Sequence, residues 1–208
     1  SSFGEFEAYG RTYVERANAN AKRREHFLAP PPNYGGERDC LMRSVGVSYF
    51  NETGTAGALN QPAMHRLMKR IDDWIMVDHL FPTAAEISSF NAQQGYGGAV
   101  YYLFTQGNFA LMSSGTYACL LMRQLPKPIN LGAVEFPNGG FPNVKARTRA
   151  IGVYAGGKHK AEARLFAAFL KSEEYNMHIV VDSDAFPPDP KYMRREEYLR
   201  PARWTNEW

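Results

Sequence analysis

Gly107-Asn108-Phe109-Ala110-Leu111-Met112-Ser113-Ser114-Gly115-Thr116-Tyr117 is the stretch whose reading decides the fold. Its four central residues are apolar on both faces of an extended chain, and small residues follow at once. Residues 109–112 therefore read as a short buried strand. Two further runs read the same way: 131–136, ended by Pro137, and 150–154. Helical patterns separate them. Helices alternating with short buried strands predict an α/β architecture in which helices cover a sheet.

The helical patterns are specific. Phe3, Phe6, Tyr9, Tyr13 and Val14 recur at helical spacing behind Ser1-Ser2, with Glu5 and Glu7 near the start and a basic stretch at 21–25 as the stop. Residues 26–29 form a short strand candidate, halted by Pro30, Pro31 and Pro32, and Asn33-Tyr34-Gly35-Gly36 reads as a turn before a helix over 37–44. Pro62 suits the first turn of a third helix, capped by Asn60, whose apolar face is Met64, Leu67, Met68, Ile71, Trp74 and Ile75. Residues 78–82 end it and Thr83 opens another. Glycine and amide side chains make 93–98 irregular, 100–104 leads into a helical turn, and 138–142 is a loop. The strongest helix is 161–170, with Ala163, Phe166, Ala167, Phe169 and Leu170 on one side. Ser172-Glu173-Glu174 caps a further helix through about Val181, and Pro187, Pro188 and Pro190 break the pattern again.

Composition narrows the classes. The chain has 208 residues, 44% of them apolar, with 13 Phe, 12 Tyr and 3 Trp. That is a globular composition of one large or two small domains, far from a disordered one. No run approaches the roughly 20 uncharged apolar residues of a membrane-spanning helix. Lys and Arg number 24 against 21 Asp and Glu, with the signs interspersed. A nucleic-acid binder concentrates its positive charge more than this, so no nucleic acid is expected. Ser1 follows no initiator Met or signal pattern, and the aromatic end Arg203-Trp204-Thr205-Asn206-Glu207-Trp208 reads as the beginning of something further. A piece of a longer chain is the expectation.

Motifs for covalent chemistry are scarce. His26, His65, His79, His159 and His178 are scattered, with no HExxH and no cluster at metal-ligand spacing. Asp78 and His79 are adjacent and read as a solvated helix end rather than a catalytic pair. There is no nucleophile elbow, P-loop or dinucleotide fingerprint; Gly95-Tyr96-Gly97-Gly98 lacks the lysine and the strand-to-helix junction. Cys40 and Cys119 allow either buried free thiols or one disulfide. No metal and no organic cofactor is expected, and the protein is read as not an enzyme. Tyrosine and tryptophan in Gly, Asn and Pro surroundings suggest another task. Flat rings stack on the apolar C–H face of a sugar while amides and charged groups satisfy its hydroxyls. Tyr34, Tyr96, Tyr117, Trp204 and Trp208 have such company.

Five passages in order also resemble one family. The 107–117 stretch is similar to the "G-x-x-A-M-x-x-x-G-x-W" passage of extracellular solute-binding proteins of ABC importers, the maltose-binding-protein-like family. Leu131-Gly132-Ala133-Val134-Glu135-Phe136-Pro137 resembles that family's "(I/Y)-G-V-x-x-(L/F)-P". Ala150-Ile151-Gly152-Val153-Tyr154 resembles its returning strand, and the region from Lys158 through Ser172-Glu173-Glu174 its "K-x-x-E-A-x-x-F-x-x-F-L-x-S-E-E" helix. Asp184-Ala185-Phe186-Pro187-Pro188 resembles "G-x-(I/L)-P". The stretch from Arg43 to Asn51 and on to Phe81-Pro82 is similar to a carbohydrate-importer subgroup. One departure is that Tyr117 stands where the family more often has Trp.

The resemblance implies a periplasmic-binding-protein-like fold, mostly the second lobe plus the segment returning to the first. Residues 1–148 would be the second lobe and 149–181 the returning segment. Residues 182–208 would be the crossover and the start of the C-terminal part of the second lobe. The resemblance also implies a carbohydrate-binding component that traps a sugar or oligosaccharide between two lobes and delivers it to permease subunits. The ligand-binding residues would be Tyr117, Tyr34, Asn51, Tyr96, Trp204 and Trp208. The missing N-terminal lobe would be a further partner, and the location periplasmic or extracellular, with or without a lipid anchor. The competing classes are a fragment of a carbohydrate-active α/β enzyme and a structural interaction domain.

Overall fold

Ser2 starts the first helix as its neighbours require. In the computed structural model, which describes residues 1–32, 35–90, 98–123, 125, 129–146, 150–182 and 185–200, α1 spans Phe3–Ala17. Ser2 Oγ accepts the Glu5 N–H at 3.2 Å, and the Glu5 carboxylate accepts the Ser2 N–H at 2.8 Å. That reciprocal cap satisfies two N–H groups left without partners at a helix start. The helices α2 (Gly35–Ser44), α3 (Pro62–Met76), α4 (Ala84–Ser89) and α5 (Gly98–Thr105) come next. Thr83 and Glu86 cap α4 by the same device. Gln61, not Asn60, is the N-cap of α3, with Pro62 filling the first turn; the Asn60 side chain pairs with His65 Nε2 at 3.0 Å instead.

The chain forms two compact units. The first comprises residues 1–113 with 135–146, and the second 114–134 with 147–208. In the first, Trp74 on α3 is 1% exposed and anchors the core. Its ring meets Phe3 and Phe6 of α1 and Phe81 beyond α3, at centroid distances of 5.5, 5.3 and 5.5 Å. The indole N–H donates to Glu7 Oε1 at 2.8 Å, so the buried polar tip has a partner. Leu41 and Met42 of α2, Leu67 and Ile71 of α3, and Leu28 and Leu80 complete this cluster. Gly10 lets α1 come close: a Cβ there would lie 2.7 Å from Leu28 Cδ2 and 2.9 Å from Leu80 Cδ2. Residues 138–145 lie across α2, with Gly139 N–H on Ser44 Oγ at 3.2 Å and Asn143 Nδ2 on the Cys40 carbonyl at 3.0 Å.

The second unit is helical as well. It contains α6 (Tyr117–Arg123), α7 (Lys160–Phe169), α8 (Glu173–Asp182), α9 (Pro190–Met193) and α10 (Glu196–Leu199). Ser172 Oγ accepts the Tyr175 N–H at 3.2 Å at the start of α8. Helices α8, α9 and α10 pack on one another, and Val180 and Tyr192 are fully or nearly fully buried. The amphipathic α7 buries none of its residues.

The α/β, periplasmic-binding-protein-like fold expected from the sequence is therefore overturned. Of the described residues, 48% are helical and 3% are extended, with no sheet. Pairing is confined to isolated bridges: Ser2 with Asn138, Phe27 with Phe109, and Phe50 with Gly57. The 109–112 run shows why. Phe27 N–H donates to the Asn108 carbonyl at 2.8 Å and Ala110 N–H to the Phe27 carbonyl at 3.2 Å. A parallel ladder would continue with the Ala29 N–H on the Ala110 carbonyl; that N–H points instead to the Leu80 carbonyl at 3.4 Å, and the Leu111 N–H takes the Leu28 carbonyl at 2.8 Å, out of the ladder's register. No regular ladder grows from the bridge. Phe109 is apolar because it packs with Phe27 and Leu103 in a small side cluster, a demand that needs no sheet. The other two expected strands are not buried, since Val134, Ile151 and Tyr154 are 75, 63 and 80% exposed. A short apolar run does not name a lateral partner, and a strand without one is only extended chain.

Candidate functional site

Tyr117 is the first residue of α6 and comes directly after Gly115-Thr116. Its ring lies on the glycine. A Cβ at position 115 would fall 2.7 Å from Tyr117 Cε1 and 2.8 Å from Cδ1, so only a residue without a side chain admits the ring there. The residue is still 39% exposed. One side of the ring is thus seated on backbone while part of it meets solvent. This is a posture suited to stacking, because seating on backbone restricts the rotamers the ring can visit before a ligand arrives.

Asn51 lies in the first unit and its amide is engaged within its own turn. Its Oδ1 accepts the N–H groups of Thr55 and Ala56 at 2.9 and 3.2 Å, and its Nδ2 donates to Thr55 Oγ1 at 3.1 Å. Those bonds close the 51–56 loop, a common task for asparagine. Tyr34, Tyr96, Trp204 and Trp208 lie outside the described residues. Cys40 is a free, buried thiol, and the Cys119 side chain lies outside the described set. Among the described residues, no three His, Cys, Asp or Glu side chains gather where they could hold a metal ion, and no helix is long and apolar enough to cross a membrane.

Two polar constellations in the first unit escape sequence reasoning, because each joins residues far apart in the chain. In the first, the Asp39 carboxylate accepts hydrogen bonds from both Lys145 Nζ and the Tyr49 hydroxyl. The lysine bond first, then the tyrosine bond, hold the Asp39 pKa below its ordinary value, and donating to that carboxylate raises the Tyr49 pKa. Next to Asp39, burial pushes the Cys40 thiol up, so it stays protonated and is a poor nucleophile. This group is a clasp that ties residue 145 to α2.

The second constellation lines a shallow cavity of about 370 Å³ between the end of α3 and α1. Arg11 donates to both Asp78 carboxylate oxygens at 3.0 Å, which leaves the Asp78 side chain only 18% exposed. Asp78 is therefore a tethered carboxylate rather than the solvated helix end that the sequence suggests. His79 beside it has φ 52°, in the left-handed region that a residue with a Cβ seldom adopts, and its Nδ1 meets the Ile75 carbonyl at 3.1 Å. Asn18 accepts the Glu25 and His26 N–H groups and donates to the Val14 and His26 carbonyls. Arg24 pairs with Glu86 at 3.0 Å. Arg11, Asp78, Asn18 and Arg24 are each already engaged in separate structural bonds, which marks the cavity as a structural junction rather than a set of groups held ready for a substrate.

No protein-family model matches the chain, and no curated protein matches it either.

Proposed function

We propose that the chain is the sugar-capturing component of an ABC importer. It binds a sugar or oligosaccharide without covalent chemistry and presents it to permease subunits, in the periplasm or outside the cell. The observation that carries this reading is Tyr117: an exposed ring, seated on Gly115, at the position where the resembling family stacks an aromatic on sugar. The order of the five motifs from Gly107 to Pro188 supports it.

Calorimetric titration of the chain with maltotriose, cellotriose, mannotriose and xylotriose tests the proposal. One or more of them binds, and Tyr117→Ala weakens that binding by on the order of 1–3 kcal/mol through lost apolar burial, with a modest change in thermal midpoint. Unchanged affinity together with a much lower midpoint removes Tyr117 from the site. Turnover of nitrophenyl glycosides by the wild-type chain replaces capture with the enzymatic reading.

A further inference from the structure

On α7 the small apolar residues face inward and the large ones face out. Its half-buried stripe is Ala163, Ala167 and Leu170, spaced four and three apart. Leu165, Phe166 and Phe169 stand on another side of the helix and are 72, 59 and 41% exposed. A helix covered by its own domain turns its bulky side chains to the core, as α3 does with Leu67, Ile71 and Trp74. The charges around this face are mostly positive. By helical rotation Lys160 and Arg164 lie on the side away from the three large residues, while Lys158 and Lys171 stand at the two ends, and all four cations are exposed. Among the described residues, none of the four pairs with a carboxylate. Glu162 is the only acid from Lys158 to Lys171; it stands at the N-terminal edge of the apolar side and faces His159 Nδ1 at 3.9 Å.

We propose that α7 docks the chain on a membrane surface that carries anionic lipid. The helix lies in the plane of the surface. Leu165, Phe166 and Phe169 enter the boundary between headgroups and acyl chains, and Lys158 and Lys171 reach lipid phosphates at its ends. Lys160 and Arg164 point away from the bilayer but stay within a Debye length of it, about 10 Å at 0.1 M salt, so they add to the attraction. A helix with large apolar residues on one side and Lys and Arg on the other binds an interface through buried apolar area and charge together. With ten residues, α7 is too short to cross a bilayer, which takes about 20, so it lies on the surface. Charge also selects this occupant over a second copy of the chain, because pairing two α7 helices would set four unpaired cations against four more. Such docking is independent of sugar capture at Tyr117.

Flotation of the 208-residue chain with phosphatidylcholine vesicles, with and without phosphatidylglycerol, tests the proposal. The chain floats with the mixed vesicles and poorly with pure phosphatidylcholine. Raising salt from about 0.1 to 1 M, where the Debye length falls to about 3 Å, removes most of that preference. Leu165→Ser combined with Phe166→Ser lowers partitioning onto the mixed vesicles by at least about tenfold. Helical circular dichroism and the thermal midpoint stay as in the wild type, because both side chains are mostly exposed. Lys158→Gln combined with Lys171→Gln removes no apolar contact and lowers partitioning onto the mixed vesicles by about tenfold, with binding to pure phosphatidylcholine unchanged. That second variant decides the matter even where the serine variant fails to fold. No flotation of the wild-type chain with the mixed vesicles overturns the proposal. Wild-type flotation by the folded serine variant, or by the glutamine variant, overturns it too. A dimer of the wild-type chain in lipid-free ultracentrifugation that the serine variant loses gives the face to a second copy instead.

Discussion

Trp74 in the first unit is 1% exposed, whereas Phe166 in the second is 59% exposed. Each sits on the apolar side of an amphipathic helix. On α3 the stripe of Leu67, Ile71 and Trp74 is covered by α1, by the chain around Phe81 and by Leu80, and the rings interlock. On α7, Leu165, Phe166 and Phe169 are 72, 59 and 41% exposed. Phe166 and Phe169 stack on each other at 6.4 Å and Phe169 meets Tyr175 edge-on, local contacts within one stretch of chain. Helical spacing guarantees that such residues share a face; it does not supply the surface that covers them. Stability should accordingly be concentrated in the first unit.

The largest effect expected is at Trp74. Trp74→Ala removes the ring on which Phe3, Phe6 and Phe81 converge and leaves the Glu7 carboxylate without its indole donor. Roughly 3–5 kcal/mol of unfolding free energy should be lost, read by urea denaturation followed by helical circular dichroism. Phe166→Ala is the counterpart and should stay within about 0.5 kcal/mol of the wild type. Similar costs for the two variants would break the contrast between the units.

Gly10→Ala sharpens the same comparison. The new methyl would meet Leu28 and Leu80 side chains at 2.7 and 2.9 Å, inside the packed cluster. Alanine is the better helix former, yet overpacking of this kind costs roughly 1–3 kcal/mol and outweighs the gain of about 1 kcal/mol in helix propensity. A stabilised Gly10→Ala variant, by thermal or urea midpoint, would mean that α1 does not approach these leucines as closely as described.

A smaller, pH-dependent effect is expected at Glu86. Burial raises its pKa, but the Thr83 backbone and hydroxyl bonds, with Arg24 beside it, prevail and the net shift is downward from the ordinary 4.5. A carboxylate whose folded pKa is depressed stabilises the fold fully above the unfolded value and loses that contribution as pH falls through the lower, folded value. Glu86→Gln should therefore be less stable than the wild type at pH 7, and the gap should narrow below about pH 4.5. A gap that is constant from pH 7 to pH 3 would show that the charge of Glu86 plays no part in the cap.

Local signals are legible wherever residues close in sequence do the work. The Ser2–Glu5 and Thr83–Glu86 caps, Pro62 in the first turn of α3, and the apolar face of α3 around Trp74 all depend on spacings of one to four residues. Tyr117 can be singled out because its neighbours, Gly115 and Thr116, already place a large ring after a small-residue turn. Arg11 with Asp78, and Asp39 with Lys145, have no such mark, since the partners stand 67 and 106 residues apart.

By itself, the sequence determined where α1, α4 and α8 begin, that Pro62 stands in the first turn of α3, which residues share a helix face and which rings sit beside glycines, because these depend on rotation per residue and on capping chemistry. Tertiary structure alone decided which apolar runs would be covered. Residues 109–112, 131–136 and 150–154 look alike as strings, yet the first buries Phe109 fully in a cluster, the second lends only its last ring, Phe136, to the edge of the main core while Val134 stays exposed, and Ile151 and Tyr154 of the third are exposed. A sheet needs hydrogen bonds from a neighbour that can stand anywhere in the chain. The Ala29 N–H, which a parallel ladder would send to the Ala110 carbonyl, meets the Leu80 carbonyl at 3.4 Å instead, far along the sequence.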